Sequence, residues 1–415
     1  MIWSFNKGEW SEAYVFLKLL GDGRIFAGSA SLEKIENSFL DIENIIRNQE
    51  GNIFIFERTS IGKRCSEIKC YENSKQYLLL PSKLFQEQSE NLKALILSSM
   101  KGKIKSEEVQ QFFEHLRLKT IKSPAATREE AEKYGGKTDI FITSQNSIDG
   151  MREEIGFSIK SHFGSAATLL NCGAGTKFVY RILNCTESEA IKINQMNTLK
   201  EQLQYIRDSP SLCLLFDGCK LIPTKIGKTT NIGPIFEWNL EHIDSRMSEI
   251  LSAMLLCLHG FYPEPKTRKI PDIVAAVAKI NPVKYKSEVG NPYETKFKQL
   301  LFAAFSGLTA SKCWEGKNKV SGGYIDVAKN GDILYFRALS DDQFMSYLYN
   351  STLIDSPSRG RRYHVIHETA LKGKFVENPE IIKPDHGDYG YVYEEKGVDN
   401  SDYFIDINFQ IRFIN

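Results

Sequence analysis

Along this chain the spacing of apolar positions changes from one segment to the next. In Gly8–Leu20 (GEWSEAYVFLKLL), Ala13, Phe16, Leu17 and Leu20 fall on one side of a helix turning about 100° per residue, with Lys18 opposite. Helical spacing returns at Ser82–Met100, at Ser106–Leu118, over 186–206 and 239–258, and near 292–305 and 341–350. Short apolar stretches between them predict strands, beginning with Asn52–Glu57. A hairpin is predicted from Asp139–Thr143 and Ile155–Ser161, joined by the turn-rich SQNSIDGM. Another pairs Gly323–Lys329 with Ile333–Arg337 across Lys329-Asn330-Gly331, where the Asn-Gly step signals a tight turn. A closing strand is expected over 402–413. The sum is a mixed α/β fold without internal repeats. The Pro-rich, basic GFYPEPKTRKIPD at 260–272 is the best boundary candidate. It divides the chain into a region 1–259, a linker over about 260–271 and a region 272–415.

The first hairpin concentrates unusual chemistry. Strand side chains alternate faces. In KTDIFIT, Ile140 and Ile142 share one face, while Asp139, Phe141 and Thr143 share the other. In GFSIKS, Phe157, Ile159 and Ser161 share a face, and Ser158 and Lys160 share the opposite one. One face is therefore apolar, and the other can hold a carboxylate, a hydroxyl and an ammonium near one point. Hydrolysis of a phosphodiester uses such a set. A carboxylate anchors a hard divalent cation, and the cation polarises the phosphoryl group and activates water. A lysine beside it offsets charge on the phosphate. Glu9 and Glu12 add two carboxylates to the apolar side of the first helix, where they are costly unless paired or bound to metal. They are three residues apart and so are neighbours on the helix surface. Each residue also has an ordinary reading. Asp139 can be a turn or cap residue, Ser158 and Lys160 a solvated face, and Glu9 a first-turn partner of the helix dipole.

Composition narrows the setting without naming a partner. The chain has 415 residues, 42% hydrophobic and 25% charged, which excludes a disordered class. Its 53 Lys and Arg against 52 Asp and Glu leave a net charge of +1, so any polyanion must be held by a local basic surface. No signal peptide and no apolar run near the ~18–20 residues of a membrane span are found, and a cytoplasmic protein is expected. The eight cysteines are scattered singly with no C-x₂-C pair, as expected of reduced thiols.

Asp139 followed nineteen residues later by Ser158-x-Lys160 resembles the D…(D/E)-x-K signature of the PD-(D/E)XK nucleases. The surrounding words are more specific. KGEWSE (7–12), GFSIKS (156–161), TLLN (168–171), NPYETKFKQLL (291–301), SGGYI (321–325), DSPS (355–358) and INFQIRF (407–413) resemble the HpaII-type restriction endonucleases, in order and nearly end to end. The resemblance implies a central mixed sheet flanked by helices, with a C-terminal mixed α/β extension that completes the core and helps recognise DNA. It also implies a Mg²⁺-dependent type II enzyme that cuts double-stranded DNA at a short palindrome such as CCGG, leaving 5′-phosphates. By the same resemblance Asp139 would bind metal, Lys160 would be the catalytic lysine, and Glu12 would supply the helix carboxylate, with Glu9 as second choice. A DNA methyltransferase would protect the host's own sites. A homodimer matches a symmetric site, though a monomer nicking twice also fits. Ser158 departs from the signature: a neutral hydroxyl stands where an acid usually binds metal. Glu154 shares its face but lies roughly 13 Å away at about 3.3 Å per residue.

Three stretches are basic: Lys101–Lys105, Arg117–Lys122 and Ser358–Tyr363. In the last, Arg359, Arg361 and Arg362 follow DSPS, and arginine can read the O6/N7 edge of guanine. His162 and Asn171, just past the catalytic strand, are further candidates for contact with DNA. Pro384-Asp385 with Glu394-Glu395-Lys396 fits the nuclease pattern by letter, but the turn-like HGDYG between them reads as a polar hairpin. Two other classes compete: a DNA-binding protein with a degenerate nuclease site, which Ser158 would explain, and a repair nuclease reading DNA shape.

Overall fold

The computed structural model describes residues 2–29, 31–62, 67–100, 102–121, 138–164, 167–219, 229–231, 233–286, 290–316, 322–337, 341–357, 366–367, 380–382, 390–393 and 403–414. The chain forms two compact units, neither continuous in sequence. The first is Met1–Ala167 with Asn318–Tyr347 and the last residue; the second is Thr168–Lys317 with Leu348–Ile414.

The first unit is organised by a nine-stranded sheet. Its order is Arg24–Gly28, Ile333–Arg337, Gly323–Val327, Arg152–Ser161, Ile140–Asn146, Lys34–Gln49, Asn52–Arg58, Glu67–Glu72 and Lys75–Pro81. Two neighbouring pairs run parallel: Gly323–Val327 with Arg152–Ser161, and Ile333–Arg337 with Arg24–Gly28. The long Lys34–Gln49 strand also pairs with Arg24–Gly28, which closes part of the sheet on itself. The first helix, Lys7–Asp22, packs on this sheet. Asn6 and Glu9 form a capping box at its start, and Gly23 ends it in the left-handed region (φ 72°), donating its N–H to Leu19. Trp10, Ala13, Tyr14, Phe16, Leu17 and Leu20 are fully buried, and Phe16 meets Phe56 edge to face at 5.0 Å. Each such large side chain contributes roughly 1.5–3 kcal/mol of burial free energy.

The hairpin strands differ from the expectation of one apolar and one open face. Phe141, Thr143 and Ser158 are buried as well as Ile140, Ile142 and Phe157. A strand in the middle of a wide sheet, parallel to one neighbour, is covered on both faces. The later hairpin turns on Lys329-Asn330-Gly331 as expected, with its first strand ending two residues early. The strand ends at Val327, Ala328 N–H donates to Asp332, and Gly331 takes the positive φ of 89°. This is a loop built on one left-handed glycine rather than a two-residue turn.

The second unit is mixed α/β in its own right. Lys177–Leu183 lies between Cys213–Cys219 and Tyr403–Asn408, and Gln410–Phe413 lies between Thr168–Leu170 and Thr352–Asp355. The expected closing strand is therefore two strands in two sheets, broken at Phe409, which is fully buried and donates its N–H to Thr176. The helical stretch 186–206 is likewise two helices, Glu187–Gln195 and Leu199–Asp208, because Thr198 and Glu201 form a new capping box. The stretch 239–258 splits into Gly233–Glu241 and Met247–Leu258. Segment 260–271 lies inside this unit. There Arg268 accepts from the Ile354 N–H, and Lys269 bridges to Leu353. The seven described cysteines are free. Among the described residues no helix is long and apolar enough to cross a membrane.

Candidate active site

Ile140–Asn146 and Arg152–Ser161 pair antiparallel with Ile140 opposite Phe157 and Ile142 opposite Ile155. Asp139 stands one step before the first strand and donates its N–H to Phe157 at 2.8 Å. That bond sets the carboxylate beside Ser158. Its Oδ2 accepts from the Ser158 hydroxyl at 2.9 Å and from the Ile159 N–H at 2.7 Å. Among the described residues none donates to Oδ1, which leaves one carboxylate oxygen for another partner. Ser158 thus secures Asp139 where a second acid would repel it.

Lys160 projects from the same strand into the field of two carboxylates. Burial pushes its ammonium below the usual lysine range, while Asp139 and Glu12 pull it back up. The ammonium sits 5.2 Å from the centroid of the Tyr324 ring. Tyr324 comes from the neighbouring parallel strand, where it stands opposite Ser158, and Asp326 stands opposite Lys160. Asp326 is buried and turns to other partners: His162 Nε2 lies 2.9 Å from its Oδ1, and the Tyr347 hydroxyl donates to the same oxygen at 3.1 Å.

The first helix is joined to this hairpin by the Ser11 hydroxyl, which donates to Ser161 Oγ at 2.6 Å. The helix separates its two glutamates by role. Glu9 closes the cap, accepting from the Asn6 N–H at 2.9 Å. Glu12, one turn further, is half-buried and acts electrostatically on Lys160 and on Arg47. Arg47 is 4% exposed; burial pushes its guanidinium down to about 10, and Glu12 works against that fall. It donates to the Ile121 carbonyl at 2.6 Å and lies over the Phe16 ring at 4.9 Å. A buried cation beside Glu12 is the physical reason a glutamate is tolerated on this apolar helix.

Asp139, Ser158, Lys160 and Glu12 therefore belong to one neighbourhood. His162 is buried against Asp326. Asn171 is exposed and belongs to the second unit. Arg359, Arg361 and Arg362 lie outside the described residues, as does the 384–396 pattern; Lys101 and Lys122 of the other basic stretches lie outside them too. Sequence reasoning missed Tyr324, Asp326, Tyr347 and Arg47. For Tyr324 and Asp326 a signal existed: GYIDV alternates them with apolar Ile325 and Val327, the pattern that drew attention to Asp139.

A family description of HpaII restriction endonucleases matches residues 6–375. Over 416 residues the chain is 30% identical to the type II restriction enzyme HpaII of Haemophilus parainfluenzae, covering 99% of each. The chain belongs to the HpaII restriction endonuclease family. It is a type II site-specific endonuclease, a hydrolase acting on double-stranded DNA. No solved structure matches it. In the Asp139 hairpin the half-buried Lys160 lies in the field of Asp139 and Glu12. The reading of a DNA-binding protein without activity gives way to the endonuclease.

Proposed function

We propose that this member of the HpaII family hydrolyses phosphodiester bonds with Mg²⁺ at a hairpin site of the PD-(D/E)XK type. The site would be centred on Asp139 and Lys160, with Glu12 as the helix carboxylate. The observation that carries the proposal is the Asp139 carboxylate, fixed through one oxygen by Ser158 and Ile159 with Lys160 in its field. Among the described residues no three His, Cys, Asp or Glu side chains already form a metal cluster. The donor set still fits Mg²⁺, which is often held by one or two carboxylates plus substrate phosphate and water. Asp139 Oδ1 and Glu12 would be those carboxylates. When bound, the ion would polarise the scissile phosphate and lower the pKa of a water.

The chain's own residues then have separable tasks. Ser158 and the Ile159 N–H keep Asp139 from rotating. Lys160 offers ammonium protons to the attacking water and the phosphate oxygen, and offsets the charge that grows there. Arg47, a buried cation, offsets the charge of Glu12 within an apolar layer. Ser158 contributes no charge of its own, so Glu12 carries the second negative charge that the signature usually places on the strand.

CCGG is the expected target, cut to leave 5′-phosphates, with Arg359, Arg361, Arg362, His162 and Asn171 as candidate DNA contacts. A homodimer would match the palindrome, a partner DNA methyltransferase would shield the host's own sites, and the cytoplasm would be the place of action. Purified protein incubated with phage DNA tests the reading. Discrete fragments that require Mg²⁺, with ends sequenced to CCGG and bearing 5′-phosphate, are the expected result. A random smear, or cleavage undiminished by chelator, would overturn it.

A further inference from the structure

The catalytic lysine in this chain lacks the strand carboxylate that usually stands two residues before it, because position 158 is serine. Lys160 is nonetheless half-buried with its ammonium desolvated, and a desolvated ammonium needs negative potential around it. Asp139 and Glu12 supply part of that potential. Asp326, its opposite number on the parallel strand, is already committed to His162 and Tyr347. Beside the lysine also lies Tyr324, 2% exposed, opposite Ser158 in register, with its ring centroid 5.2 Å from the Lys160 ammonium. The Phe344 ring lies against it, tilted at 58° with a 5.7 Å centroid separation, which helps hold its plane.

We propose that Tyr324 is a positioning residue for the catalytic lysine, its ring face standing in for the acidic residue that Ser158 replaces. An aromatic face carries negative potential and attracts an ammonium within about 6 Å, most strongly when both are desolvated. The ring gives direction without adding a charge. A carboxylate at position 158 would draw Lys160 back along its own strand and crowd Asp139 with a like charge. The ring on the next strand instead draws the ammonium sideways and leaves Asp139 to be fixed by two donors. Serine at 158 and tyrosine at 324 are then two halves of one solution. The inference rests on the role of Lys160 proposed above.

The test is single-turnover cleavage at saturating DNA and Mg²⁺, with DNA affinity and thermal stability measured on each variant. Tyr324→Phe keeps the ring and is expected to retain the rate within about threefold. Tyr324→Leu removes it and is expected to slow cleavage on the order of 30-fold with Kd unchanged, the worth of a desolvated cation–ring contact. Should Tyr324→Leu fail to fold, phenylalanine carrying one, two or three ring fluorines at position 324 keeps the shape while withdrawing charge from the face. The logarithm of the rate is then expected to fall steadily with fluorine number, which a purely structural role would not produce. A flat fluorine series, or a Tyr324→Phe as slow as Tyr324→Leu, overturns the inference. Lys160→Ala separates the two levels: if it cleaves like the parent, the role of Lys160 falls, whereas a dead Lys160→Ala beside a flat fluorine series removes Tyr324 alone.

Discussion

Two hairpins of one sheet meet at the site, and they differ in how they carry their polar residues. The Ile140–Ser161 hairpin holds Asp139, Ser158 and Lys160 within a short stretch, and its antiparallel register follows from its own turn. The Gly323–Arg337 hairpin holds Tyr324 and Asp326, and it meets the first through a parallel pairing more than 150 residues away in sequence. In the first, Asp139 Oδ1 accepts no hydrogen bond among the described residues, which leaves it for the ion proposed above. In the second, Asp326 is closed off by His162 and Tyr347 inside the protein. A pair of similar strand patterns, KTDIFIT and GYIDV, thus ends in opposite uses of aspartate. Burial separates them, since Asp139 is half-buried and Asp326 is 4% exposed; the residue type and the two hydrogen-bond donors on each do not.

Removing each aspartate should expose that difference most sharply. Asp139→Ala is expected to lower cleavage roughly 100- to 1000-fold, the scale of losing one preorganised electrostatic group, with little change in the denaturation midpoint. Asp326→Ala is expected to act chiefly on stability. It leaves His162 and Tyr347 without their shared acceptor, a loss of about 2–3 kcal/mol by two buried hydrogen bonds, readable in urea unfolding. If Asp326→Ala kept its stability while losing all cleavage, the second hairpin would belong to the chemistry as directly as the first.

The helix glutamates offer a smaller contrast of the same kind. Glu12→Gln should cut activity at least tenfold by removing the second carboxylate from the neighbourhood of Lys160. Glu9→Ala should cost about 1 kcal/mol of stability through the lost cap bond, and affect cleavage less than Glu12→Gln does. The reverse ranking would return Glu9 to the site.

Smallest is a pH effect. Burial lowers the pKa of Lys160 in the folded chain, so the unfolded chain holds this proton more tightly. As pH rises from the lowered value toward about 10.4, the folded state sheds the burden of a buried charge first. The parent should therefore gain stability relative to Lys160→Met across that window, and equal slopes would show that the ammonium is not disfavoured by folding.

The same contrast explains what could be read from the residues alone. Asp139, Ser158 and Lys160 were legible because alternation along two strands joined by a short turn fixes which side chains share a face. Glu12 was legible as a carboxylate on an apolar helix, but Glu9 looked equally good, and only the cap geometry with Asn6 tells them apart. Arg47 sits in a strand whose alternation gives no hint that its guanidinium will face the helix beside Glu12. Alternation in GYIDV marks Tyr324 and Asp326 as sharing a face, but no local pattern sets the register that brings Tyr324 opposite Ser158 across two parallel strands so far apart. The closing strand and the long helices were misjudged at breaks made by tertiary contacts: the Phe409 N–H on Thr176, and a second capping box at Thr198.

The most direct measurement is single-turnover cleavage of a DNA duplex by the parent and by Lys160→Ala, each with saturating Mg²⁺ and each shown to bind the duplex. A fall of roughly 100-fold or more with affinity retained is the predicted result. Cleavage at the parental rate by Lys160→Ala would place the chemistry somewhere other than the Asp139 hairpin.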